Sequence, residues 1–195
     1  MRVGVFALQG DVREHLLILS QLGTEAIEVR SQEALQDIDG LVLPGGESTT
    51  MSKLIDIFEL RKPLLDFVAS GKPVFGTCAG MIMLATKVLD SASDQKGLSA
   101  MDISVRRNAF GTQLDSFETE LSFAGEPARV AFIRAPIVED VGESVEVLSK
   151  LEDGRIVGVR QGNLLATSFH PELTGDKTVH NYFLGMISSQ LGLLA

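Results

Sequence analysis

The chain has 195 residues, 45% of them hydrophobic, with ten Phe, no Trp and a formal net charge of −9. That length suits one domain with a sizeable apolar interior, and the acidic balance without a Lys/Arg cluster argues against nucleic-acid or anionic-membrane partners. One cysteine excludes an intrachain disulfide, and no apolar run spans a bilayer or reads as a signal peptide, so a cytoplasmic protein is expected.

In chain order, residues 3–8 read as a buried strand and Gln9-Gly10 as a turn. Residues 11–22 read as a helix, with Asp11 as its N-cap and Gly23 just past its end. Strands over 26–30 and 41–43 flank a short helix or turn at 31–36, and Pro44-Gly45-Gly46 follows. Helices are expected over 48–60 and 63–70, a strand over 74–76 and a helix over 79–89. This alternation predicts an α/β fold, a mainly parallel sheet with helices on both faces. A polar loop over 90–99 leads into a strand-rich second half up to Phe169, with turn signals at Glu152-Asp153-Gly154 and Gln161-Gly162-Asn163. Residues 178–194 close the chain as an amphipathic helix. No repeat or linker divides it, so a single domain over 1–195 is expected.

The lone cysteine sits in Gly76-Thr77-Cys78-Ala79-Gly80, where a strand is expected to give way to a helix. G-x-C-x-G at such a junction is the cysteine form of a nucleophile elbow: small flanking residues admit a sharp turn that exposes the central side chain. The N–H groups of the following helix favour a thiolate. The alternative is a buried structural cysteine, which the glycines and the strand-to-helix context disfavour.

A base is available in Thr167-Ser168-Phe169-His170-Pro171-Glu172. If the segment is extended, His170 and Glu172 point to one side, and Pro171 keeps His170 out of a helical conformation. The pattern reads as a Cys78–His170–Glu172 triad of nucleophile, base and orienter; a surface histidine at a strand end is the alternative. Pro44-Gly45-Gly46-Glu47-Ser48 offers a second loop, with Ser48 expected to cap the next helix. Gly46 N–H and Ala79 N–H are candidate oxyanion donors; an ordinary strand-to-helix turn is the plainer reading. His15 is expected at the surface or an interface, His180 in solvent, and Met81 and Met83 in the core. The histidines and cysteine show no metal-ligand spacing, so no metal or cofactor is expected.

Together these motifs resemble a class I, triad-type glutamine amidotransferase, which implies a flavodoxin-like sheet. Within that class the chain is similar to the glutaminase subunits of pyridoxal 5′-phosphate synthase. The narrower resemblance rests on the segments 8–15, 44–51, Arg107-Asn108-Ala109-Phe110-Gly111, Phe132-Ile133-Arg134-Ala135-Pro136 and 167–174, spread over nearly the whole chain. It implies hydrolysis of L-glutamine to L-glutamate and ammonia, with ammonia passed to a partner synthase subunit. It also implies glutamine contacts at Gly46, Glu47, Ser48, Arg107, Ile133 and Arg134, and weak activity until the partner docks near Gln9-Gly10. A glutaminase feeding another synthase, such as that for imidazole glycerol phosphate, and a non-catalytic subunit on the same fold are the competing readings. The 107–111 and 132–136 segments oppose the first, and the intact Cys78, His170 and Glu172 oppose the second.

Overall fold

The computed structural model describes residues 1–90, 96–109 and 116–193. The first half alternates β1 (Arg2–Phe6), α1 (Val12–Gln21), β2 (Glu25–Val29), α2 (Gln32–Gln36), β3 (Gly40–Leu43), α3 (Ser48–Ile57), α4 (Arg61–Ala69), β4 (Val74–Thr77) and α5 (Ala79–Leu84). Strands then dominate: β5 (Ala85–Val88), β6 (Met101–Arg106), β7 (Ser116–Phe123), β8 (Glu126–Ile133), β9 (Ile137–Val141), β10 (Glu146–Lys150), β11 (Ile156–Gln161) and β12 (Leu164–Thr167). A single 3₁₀ turn, Pro171–Leu173, and α6 (Thr178–Gln190) follow.

The main sheet runs β2-β1-β3-β4-β12-β11-β9-β6-β5, with β10 also paired to β11. From β2 to β12 every pairing is parallel. Beyond β12 the sheet is antiparallel except for β5 with β6. The inner strands β3, β4 and β12 are buried along their whole length because both sides are covered, whereas the edge strand β2 carries the exposed Glu25 and Glu28. Side-chain alternation along the strands divides the core in two. Phe6, Leu41, Leu43, Val74, Leu164 and Ala166 meet Leu35, Ile55, Leu64 and Met81 on one face. Val3, Val5, Val42, Phe75 and Leu165 meet Leu19 of α1 and Phe183 and Ile187 of α6 on the other. Helices therefore cover both faces, as the alternation in the sequence implies. The β7–β8 hairpin forms its own two-stranded sheet and packs Phe123, Val130 and Phe132 into the α1–α6 side.

Two expectations change. The helix after Cys78 stops at Leu84, not 89; Ala85 turns extended, at ψ 141°. Residues 85–88 instead pair in parallel with β6, a site that suits the β-branched Thr86 and Val88. The final helix ends at Gln190 rather than 194, with Gly192 at φ 67° beyond it. Residues 91–95, the Phe110 and Gly111 of the sequence motif, and Leu194 lie outside the described residues. Among the described residues no helix is long and apolar enough to cross a membrane.

Phe183 is fully buried against Phe75, ring centroids 5.6 Å apart. Phe183→Ala should cost about 3–5 kcal/mol, read as a lower urea midpoint at unchanged slope.

Candidate active site

Cys78 occupies the single residue between β4 and α5, at φ 47° and ψ −99°. A non-glycine residue rarely adopts positive φ, and it persists only where surroundings hold it. Here the hold is visible. Cys78 N–H donates to Thr167 C=O at 2.8 Å, extending the β4–β12 ladder by one bond. A Cβ added to Gly76 would come within 2.6 Å of the Gly80 backbone, and one on Gly80 would strike the backbone of Leu43. The G-x-C-x-G spacing is thus a packing requirement: the two glycines let α5 fold back onto its own strand and the next.

His170 lies three residues beyond β12. Its backbone exchanges two hydrogen bonds with Ala131 of β8, His170 N–H to Ala131 C=O at 2.7 Å and Ala131 N–H to His170 C=O at 3.3 Å. Its Nδ1 stands 2.8 Å from Glu172 Oε1 and 3.3 Å from Asp11 Oδ2. The Glu172 contact does not arise from strand alternation, because Glu172 sits inside the 3₁₀ turn that Pro171 starts. Pro171 suits that first helical position, where no N–H is needed. Burial opposes a charged ring at His170, but hydrogen bonds to Asp11, Cys78 and Glu172 outweigh it, and its pKa is pushed up to about 12. Burial likewise pushes Glu172 up, against its hydrogen bond to His170. Both directions say that the pair retains a proton.

The loop after β3 completes the rim. A Cβ on Gly45 would sit 2.8 Å from His170 Nδ1 and 2.9 Å from Asp11 Oδ2, so only glycine lets this backbone lie against the imidazole. Ser48 does not cap α3. Glu47 does, its carboxylate accepting from Thr49 N–H at 3.0 Å and Thr50 N–H at 2.7 Å. Glutamate reaches further than serine, and the helix N-terminus rewards its charge. Its partial burial opposes ionisation, but those bonds prevail and lower its pKa to about 2. Arg107 approaches the same carboxylate at 3.6 Å, and Gln9 Oε1 accepts from Glu47 N–H at 3.1 Å.

These groups surround one cavity of about 360 Å³, lined by Asp11, Gly46, Glu47, Ser48, Cys78, Ile82, Arg107, Asn108, Ile133, Arg134 and His170. Of the site residues expected from the sequence, Ala79 and Glu172 alone are not part of this lining; both are buried, Glu172 against His170. Asp11 is expected from its position only to cap a helix, yet its side chain makes no cap bond and turns to the imidazole. Asp11, His170 and Glu172 place three donor atoms within 4.8 Å of one another. Such a set could hold a cation, but the same atoms already make the hydrogen bonds that orient the ring.

His15 and His180 are not at the surface: each is fully buried. His15 shares a stripe of α1 with Ile18 and Leu19, and His180 a stripe of α6 with Phe183, Leu184 and Ile187. That 3–4 spacing was the available signal.

Against known proteins, the profile of the SNO glutamine amidotransferase family matches residues 5–189. The chain belongs to that family. Proteins named "Pyridoxal 5'-phosphate synthase subunit PdxT" are similar along nearly their full length. That of Salinispora tropica is 56% identical over 97% of this chain and 98% of its own. That of Corynebacterium jeikeium is 56% identical with the same coverage. A solved structure described as a glutamine amidotransferase superposes with TM-score 0.90 at 47% identity, covering 95% of this chain and 98% of that one. A chain of PurLQS from Thermotoga maritima shares the fold, TM-score 0.66 at 19% identity over 94% of this chain and 97% of its own. This glutamine amidotransferase therefore has the architecture that its sequence motifs implied.

The Glu47 cap yields a prediction with a sign. A lowered carboxylate pKa adds stability that is full above the unfolded value, near 4.5, and is lost as pH falls through about 2. Glu47→Ala should cost about 1 kcal/mol near neutral pH. The gap between the two urea midpoints should close progressively below pH 4.5.

Proposed function

We propose that this chain is the glutaminase subunit of a pyridoxal 5′-phosphate synthase, hydrolysing L-glutamine to L-glutamate and ammonia through Cys78, His170 and Glu172. The observation that carries the reading is the single cavity where Cys78 and His170 share a wall with Glu47 and Arg107. Its volume lies within the roughly 300–1,000 Å³ of small-molecule sites. Glu47 and Arg107 offer opposite charges to the α-ammonium and α-carboxylate of an amino acid. Gly46, Ser48, Ile133 and Arg134 complete the substrate contacts.

Nδ1 of His170 is taken up by Glu172 and Asp11, which leaves Nε2 for the sulfur. Nε2 takes the thiol proton of Cys78, and the raised His170 pKa favours the resulting imidazolium. Sγ attacks the side-chain amide carbon, and the carbonyl electron pair moves onto oxygen, where the N–H groups of Gly46 and Ala79 receive it. The ring gives its proton to the amide nitrogen, the C–N bond breaks and ammonia leaves a glutamyl thioester. Water then attacks the thioester carbon and returns a proton to the ring. The C–S bond breaks, releasing glutamate and restoring the thiolate. Asp11 and Glu172 hold the ring in the one tautomer that serves both steps. A free nucleophilic thiol fits a reducing cytoplasm. The name of the PdxT relatives points to a synthase that takes up the ammonia.

Glutamate release should rise when the partner synthase is added. Cys78→Ala should lower it by on the order of 10⁴-fold or more. Turnover unchanged in Cys78→Ala would remove the mechanism, and turnover indifferent to the synthase would remove the partner.

A further inference from the structure

Behind the triad lies a second layer of buried imidazoles that take no part in the hydrolysis steps. His15 Nε2 stands 3.5 Å from Glu172 Oε1 and 3.3 Å from Thr77 Oγ1, while its Nδ1 is 2.9 Å from His180 Nε2. The contacted carboxylate oxygen, Oε1, is the one that meets His170 Nδ1. His15 and His180 are fully buried, and Phe75 packs edge-on against both rings, at 6.3 and 5.8 Å. A continuous file of side chains thus runs from α6 through α1 and the 3₁₀ turn to the nucleophile: His180, His15, Glu172, His170, Cys78.

We propose that His15 and His180 are positioning residues of the triad, with His180 Nε2–H donating to His15 Nδ1 and His15 Nε2–H directed at Glu172, fixing the carboxylate that orients His170. The direction of the protons follows from the neighbours. His15 Nε2 faces a carboxylate oxygen and a hydroxyl oxygen. A lone pair there would oppose the carboxylate's charge, so this nitrogen carries the proton. His15 Nδ1 must then accept, and His180 Nε2 must donate. That leaves His180 Nδ1 as a bare lone pair, and it is the atom of this ring without a hydrogen-bond partner among the described residues. An orphaned lone pair is easier to tolerate than an orphaned N–H, so the unpaired atom falls where this arrangement requires it.

The charged and titratable groups around the pair are Asp11, just before α1 and one turn from His15, His170 and Glu172 at the site, and Asp176 before α6. Burial first, then the positive influence of His180 and His170, hold His15 well below its usual range. Burial, against Asp176, lowers His180 to about 4. The rings therefore stay neutral, and each keeps one donor and one acceptor. An uncharged pair places a donor at Oε1 without a second positive charge competing with the imidazolium of His170. It also ties the carboxylate to two helices.

The pair's role rests on the triad reading, and different measurements test the two. Cys78→Ala tests the triad. For the pair, ¹⁵N-detected histidine spectra of the unsubstituted protein should give the Nε2–H tautomer for both rings, and an Nδ1–H tautomer at His15 would overturn the proposal. Two amides then separate positioning from packing. His15→Gln keeps a donor where Nε2 stands and gives up the His180 contact; His15→Asn keeps the reverse. With the partner synthase present, His15→Asn should lower kcat of glutamine hydrolysis by about 10- to 100-fold with KM within about twofold. His15→Gln should recover at least half of that loss on a logarithmic scale. Equal kcat in the two variants, or losses that follow their melting temperatures, would assign the pair to packing alone. Should neither variant fold, the tautomer spectra decide.

Discussion

Parallel pairing of β4 with β12, prolonged by the hydrogen bond from Cys78 N–H to Thr167 C=O, carries Cys78 and His170 to the same edge of the sheet. Val74 pairs with Leu164 and Thr77 with Thr167, so residues remote in sequence are placed with ladder precision. A slip of one residue would turn every β12 side chain to the opposite face. It would also take from Cys78 the carbonyl that anchors its positive-φ backbone. The core supports this register from both sides, because Leu164 and Ala166 belong to one apolar layer and Leu165 to the other.

His170 is pinned differently. Its backbone bridges to Ala131 in the separate β7–β8 sheet, its ring meets Asp11 from the start of α1, and Gly45 lies close beneath. Main sheet, hairpin, first helix and glycine loop thus converge on one imidazole. Rigid elements hold a side chain better than loops do, and here the main sheet, the β8 strand and the start of α1 supply three of the four supports.

Much of this is legible in the sequence. Alternating apolar runs give the parallel half and its two faces, and G-x-C-x-G and H-P-E mark the sharp turn at Cys78 and the histidine that lines the cavity beside it. What escapes shares a cause: side-chain partners remote in sequence. Asp11 looks like a helix cap, and nothing local says that it turns toward residue 170 instead. Ser48 is a common cap type, but Glu47 reaches the α3 amides first and also meets Arg107. Residues 85–88 follow α5 with no turn signal between them, and only the edge offered by β6 makes them a strand. The histidines at 15 and 180 look like surface residues only when polarity is weighed above position on the helix stripe. A buried imidazole needs a partner, and these two rings find theirs far away in sequence: each other, 165 residues apart, and for His15 also Thr77 and Glu172.

The β4–β12 pairing also orders events in time. Val74 and Leu164 are separated by 90 positions, and closing so long a loop is slow relative to forming the local β7–β8 hairpin. The backbone twist at Cys78 has no support until that closure. During synthesis, a growing chain that has released Cys78 but not β12 has no Thr167 carbonyl to anchor that backbone and no His170 near the thiol. The surroundings of Cys78 are therefore completed late and in one step, with the docking of β12.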